Sequence, residues 1–253
     1  MSGGGGGVSP PPPPDPMHAT LYRDWIVANA WTESVGLGSM FVIGSVIAPG
    51  LDRSTDAIVV IVAAFAAVAL GAVLEGFVVG YAQEGILRDY LPNLRRWTWV
   101  IATVQGAALA WALGMLPSTA MTLTGGAAEP SPPEPGALVQ YVLAAALGAV
   151  AGPILAAMQW TVLRNHVANG SRWLLASAVA WGGNQLVIFL GFYVVCGAAG
   201  AVVGAIHGRW MVQLIEEANL QGSPSRTCTP PHAPSADASA STAHPLCTFA
   251  TAR

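Results

Sequence analysis

Lysine is absent from this chain, and all ten of its basic residues are arginine. A Gly-rich phosphate loop ending in lysine is therefore excluded, as are the basic patch that nucleic-acid binding needs and a polybasic lipid-binding run. Charge of either sign is scarce: 9% of residues are charged, against about a quarter in an ordinary soluble domain. The net charge of −3 is too small to steer a partner. Cysteine is nearly absent as well. Cys196, Cys228 and Cys247 have no C-x-x-C spacing and no histidine cluster beside them, so neither a zinc site nor a disulfide framework is expected. Cys196 falls in an apolar run and reads as a small buried residue. Signatures of enzymes are missing too: there is no H-E-x-x-H, no G-x-S-x-G and no aspartate-rich prenyl-binding pair. No catalytic, cofactor-binding or metal-binding residue is assigned, and the expected protein is non-enzymatic.

What remains is apolar. Hydrophobic residues make up 53% of the 253, and the mean hydropathy is +0.54. Such a chain is an all-α integral membrane protein whose main partner is the lipid bilayer. Its opening, Met1 to Pro16, is a glycine run followed by a proline block, and from about Leu220 to Arg253 the chain turns to Ser, Thr, Pro, Ala and His. Neither stretch can bury enough apolar surface to fold, so residues 1–21 and 220–253 are expected to be disordered tails. No signal peptide is readable ahead of the first apolar stretch, and Met17 offers an alternative start.

Crossing roughly 30 Å of hydrocarbon takes about 20 residues of helix. Residues 22–219 supply six such segments, at about 25–48, 57–87, 97–116, 136–163, 172–191 and 195–216. The third is expected to end at Pro117. The last two come from one apolar block that would be about 50 Å long as a single helix, too long for one crossing, and they are expected to turn between Gly191 and Gly200. In this arrangement Arg23, Arg88, Arg95, Arg96, Arg164, Arg172 and Arg209 fall on one side and Arg53 on the other. The positive-inside rule then puts both termini in the cytoplasm.

The chain also repeats itself. Shifted by 76 positions, Gly76–Gly106 lies on Gly152–Gly182 with nine identities in 31, where chance gives about two. The shared skeleton is G-x6-Q-x3-L-R-x7-R-W, carried by Gly76 and Gly152, Gln83 and Gln159, Arg88 and Arg164, and Trp97 and Trp173. Gly-Ala-Val recurs at Gly71, Gly148 and Gly200, and Arg23-Asp24-Trp25 stands where Arg-Trp stands in the other units. Three parallel two-helix repeats are expected, with helices three and four superposing on five and six and Trp97 lying on Trp173.

Gly-rich helices ending Q-W-x-x-L-R, as in Gln159-Trp160-Thr161-Val162-Leu163-Arg164, followed by Arg172-Trp173, resemble a group of bacterial, cyanobacterial-type multi-pass membrane proteins of unknown function. The resemblance covers about 70–216. It departs at Gln83-Glu84 and in the last helix, which lacks the terminal Leu-Arg. It implies a helical fold and the bacterial cytoplasmic membrane, and it transfers no functional residue.

Interface physics accounts for much of the repeated signature. Arg88 and Arg164 at helix C-termini complement the helix dipole and snorkel to headgroups, with Glu84 placed to pair with Arg88. Trp25, Trp97 and Trp173 at helix starts suit an aromatic belt. Gln83, Gln159, Gln105 and Asn184 read as interhelical hydrogen-bonding groups, and small-x3-small spacings such as Gly148/Gly152 and Gly200/Gly204/Gly208 as close-packing faces. Packing within the chain is the first reading of those faces, and a homo-oligomer or another membrane protein is the alternative. Glu33, Glu75 and His207 stand apart, because an ionisable group at the bilayer centre costs about 2.5–3.5 kcal/mol on insertion scales and persists when paired or used. Glu75 and His207, about 20 and 14 Å along their helices from Arg88 and Glu216, are expected to face the interior, where they either approach within bonding reach, directly or through water, or each bond a separate neighbour such as Gln105 or a backbone carbonyl. The expected function is a scaffolding or interaction role, with a small transporter or channel using Glu75 and His207 as the alternative. A polar cavity reaching the bilayer interior separates the two.

Overall fold

The computed structural model describes residues 16–51, 56–124, 136–189 and 196–222, and every element among them is helical. In chain order these are α1 (Pro16–Leu51), α2 (Ala57–Gly71), a π-helical stretch (Ala72–Phe77), α3 (Val78–Leu87), α4 (Arg96–Thr124), α5 (Ala137–Leu163), α6 (Arg172–Phe189) and α7 (Cys196–Gly222). Because α2, the π stretch and α3 form one continuous rod, the described residues make six helices. Four of them, Met17–Ile47, Ala57–Leu87, Arg96–Thr124 and Ala137–Leu163, are long and apolar enough to cross a membrane. Residues 1–15, 223–253, the expected turn after Gly191 and Arg53 lie outside the described residues.

Three helices run further than expected, among them α7, which continues to Gly222 and so takes 220–222 out of the expected disordered tail. The first begins at Pro16, where the absent amide hydrogen of proline would have had no intrahelical partner. The turn it adds carries Leu21 into the core, fully buried, so residues 16–21 are not part of a disordered tail. The third helix passes through Pro117 to Thr124. A proline removes one backbone bond, and a helix whose other bonds stay intact tolerates it. Past it, the Thr124 hydroxyl donates to the Ala120 carbonyl at 2.7 Å.

Each rod touches its neighbours in chain order, and the last closes on the first, which makes a ring. Contacts are densest within three pairs: the α2–π–α3 rod with α4, α5 with α6, and α7 with α1. Glycines set these pairs. A Cβ added at Gly76 would lie 2.8 Å from the Ala107 Cβ; at Gly152 it would meet the Ser177 carbonyl and Trp181, and at Gly204 it would lie 2.8 Å from the Ile26 Cα. The backbones touch because no side chain intervenes, which is how helices gain contact where lipid offers no hydrophobic drive.

One end of the ring is closed by a cluster that includes Leu21, Trp25, Leu87, Trp99, Leu163 and Trp173. Its two connections are built alike. The amides of Tyr90 and Leu91 donate to the Leu87 carbonyl, and those of His166 and Val167 to the Leu163 carbonyl. The outer face carries Val46, Ile58, Phe65, Leu138 and Val150, all exposed, a surface suited to hydrocarbon rather than water.

Candidate functional site: the polar centre of the bundle

Three buried tryptophans organise the interior. Trp25 on α1, Trp99 on α4 and Trp173 on α6 are each fully buried. Four residues further along the same helices stand Asn29, Thr103 and Ser177, one turn on and on the same face, all buried. Each receives a polar side chain from the helix that follows it in the chain. Gln83 on α3 donates to the Asn29 Oδ1 at 3.2 Å, Gln159 on α5 to the Thr103 hydroxyl at 3.0 Å, and His207 Nε2 on α7 shares a hydrogen bond with the Ser177 hydroxyl at 3.0 Å.

Gln159 is the node of this network. Its amide nitrogen also donates to the Gln83 Oε1 at 3.1 Å, and its own Oε1 accepts from Trp173 Nε1 at 2.9 Å. The Asn29 amide donates to the Trp25 carbonyl at 2.8 Å. Trp173 meets Trp25 edge-on at 6.0 Å between ring centres and lies 4.4 Å from the His207 ring.

Trp25 and Trp173 are therefore core rings, which corrects their expected place in an aromatic belt. Trp97 is 59% exposed, and the fully buried tryptophan on its helix is Trp99. The helix presents two tryptophans two residues apart, and its rotation selects the second for the interior. The arginine pairing is corrected too. Buried Glu84 bonds to Arg96 at 2.7 Å, while Arg88 reaches only Asp89 at 3.9 Å. Arg164 packs over the Trp160 ring at 5.3 Å. Gln105 faces outward, and Asn184 is buried with no partner for either side-chain polar atom.

Near the C-terminal end of α7, Glu217 bonds Asn169 and Arg172, and these partners hold its carboxyl below the usual range.

The three singled-out ionisable residues converge on one cavity. Glu33, Glu75 and His207 line it together with Asn29, Gln83 and Gln159. Its volume is about 10 Å³, close to the smallest that holds a water. Glu75 and His207 make no direct bond to each other, and each bonds a separate neighbour. Glu75 Oε2 accepts from Trp111 Nε1 at 2.8 Å, and His207 is taken by Ser177.

Glycines again make the fit. A Cβ at Gly36 would lie 2.9 Å from the Glu75 Cα, one at Gly200 would lie 2.7 Å from the Glu33 Cβ, and one at Gly71 would strike the Trp111 ring at 2.5 Å. The π stretch carries Glu75; its wider turn is a feature that recurs at functional sites in helices. Three polar atoms at the cavity have no hydrogen-bond partner: Glu33 Oε2, His207 Nδ1 and Trp181 Nε1.

No family model, no curated protein and no solved structure matches this chain.

Proposed function

We propose that this protein spans the bilayer six times and is a small transporter or channel for a small cation, working through the polar centre of the ring. The observation that carries this reading is the pair Glu33 and Glu75, on one cavity whose lining includes no arginine. Ionisable groups at membrane depth are costly and mark ion or substrate paths. A scaffold has no need of them.

The small-residue faces support the same choice. Gly76, Gly148, Gly152, Gly200 and Gly204 are all filled by neighbouring helices of the same chain, so they offer no open seam to a second copy. The proposal includes three two-helix units around a pseudo-threefold axis, an arginine-rich cytoplasmic end, and membership of the bacterial multi-pass group that its Q-W-x-x-L-R helix resembles. Support for the threefold reading comes from Trp25, Trp99 and Trp173, each followed four residues later by Asn29, Thr103 or Ser177 in the same role.

Reconstitution into liposomes tests it. With a potassium diffusion potential imposed, the protein is expected to carry an inward flux of protons or alkali ions, and Glu33→Gln to cut it about tenfold or more. Liposomes that stay as tight as empty ones to protons, Na+ and K+ would return the protein to a packing or scaffolding role.

A further inference from the structure

Charge balance and hydrogen-bond accounting at the cavity identify its occupant. Two carboxyl groups meet there, from α1 and the π stretch, and α7 adds His207. The lining residues of the other helices, among them Gln83 on α3, Thr103 on α4, Gln159 on α5 and Trp181 on α6, bring no titratable group. Among the described residues no arginine lines the cavity to offset the two acids.

Of the donors at the cavity, Trp181 Nε1 is unpartnered and makes no bond to Glu33, and the others serve neighbours. Trp111 serves Glu75, Gln83 serves Asn29, Gln159 serves Gln83 and Thr103, and Asn29 serves the Trp25 carbonyl. Glu75 thus has a donor of its own, a hydrogen bond that strengthens when the carboxyl group is charged. Glu33 is not so equipped. It is 1% exposed and its Oε2 has no partner, and an isolated carboxylate in such surroundings is unstable unless its charge is neutralised.

An alkali ion would need several free oxygen ligands. The amide oxygens of Asn29, Gln83 and Gln159 each already accept a hydrogen bond. Among the described residues no three His, Cys, Asp or Glu side chains come together as a metal cage. A proton needs none of this. It bonds to one Glu33 oxygen, converting the carboxylate to a neutral carboxyl group and removing the charge that has no counter-ion at the cavity.

We infer that the cavity is a proton-binding site, with Glu33 as the group that takes up the proton and Glu75, held by Trp111, as the second acid of its lining. The inference deepens the transport reading and rests on it for its purpose, but the binding itself is measurable without transport.

Infrared spectroscopy of the full chain in detergent, compared in light and heavy water at neutral pH, is expected to show the carbonyl band of a protonated, buried carboxyl group. Glu33→Gln should abolish the band and Glu75→Gln should retain it. Glu33→Asp, read alongside them, should shift the band rather than remove it, which guards against misfolding of a single variant. Persistence of the band in Glu33→Gln would overturn the assignment. So would a wild-type spectrum without the band, joined to thermal stabilisation by Na+ or Li+ but not by choline, since that describes an alkali-ion site. Because no flux is read, a failure of the transport reading leaves this result standing, and the reverse holds as well.

Discussion

Gly152→Leu is expected to abolish assembly of the bundle, and Gly204→Leu to do the same from the other side of the ring. At Gly152 the first atom met by a new Cβ belongs to the Ser177 backbone, and at Gly204 it is the Ile26 Cα. Backbone cannot rotate aside as a flexible side chain can, so the helices must separate and lose the contacts that glycine allowed. Overpacking in a close-packed core costs about 1–3 kcal/mol even when side chains give way, and the loss here lies at or beyond the top of that range. Gly38 is the control, because a Cβ there meets nothing within 4 Å. Size-exclusion profiles of solubilised membranes would show the folded peak for Gly38→Leu and lose it for the other two. A wild-type profile for Gly152→Leu would mean that α5 and α6 do not touch as described.

Gln159→Leu should be the most damaging polar substitution in the interior. Gln159 joins three partners, Gln83, Thr103 and Trp173, and leucine leaves all three short of a bond in a site without bulk water. Bonds between membrane helices are worth about 0.6 kcal/mol on average, while stranding a buried polar group costs about 1–3 kcal/mol. The sum is about 2–4 kcal/mol, or a fall in Tm of about 5–15 °C for a chain of this size. Arg172→Ala removes the partly exposed pair with Glu217 and should cost much less, because solvent screens such a pair. Thermal unfolding of the two variants in one detergent compares them directly, and equal losses would remove Gln159 from the centre of the network.

The outline of the fold was legible because hydrocarbon thickness dictates helix length and polar breaks mark the loops. The helices from Ala57 to Leu87 and from Ala137 to Leu163 lie within a residue of where their apolar runs place them. Rotation about each helix axis was harder to read. Trp97 and Trp99 both open α4, and the repeat match selected Trp97, whereas packing buries Trp99. The spacing that finds the interior was nevertheless present: Asn29, Thr103 and Ser177 each follow the buried tryptophan by four residues.

Glu33, Glu75 and His207 were visible as costly residues in apolar runs, and the structure brings them to one cavity. Their partners were not visible. Trp111 and Ser177 are selected by the crossing of helices, which no local pattern encodes. The π stretch was hidden as well, since Ala72–Phe77 reads as ordinary helix.

The account turns on the six helices closing into a ring, with α7 returning to α1 so that Glu33 and His207 face one cavity. Ser34 and Gly197 sit at that closure, where a Cβ at Gly197 would lie 2.8 Å from the Ser34 Oγ. In a chain with its three native cysteines replaced, oxidising the pair Ser34→Cys and Gly197→Cys in native membranes measures the closure directly. The ring predicts a disulfide within single chains, formed readily and absent when Val27→Cys, on the exposed face of α1, replaces Ser34→Cys. Failure to cross-link, or a disulfide found only between two chains, would contradict it.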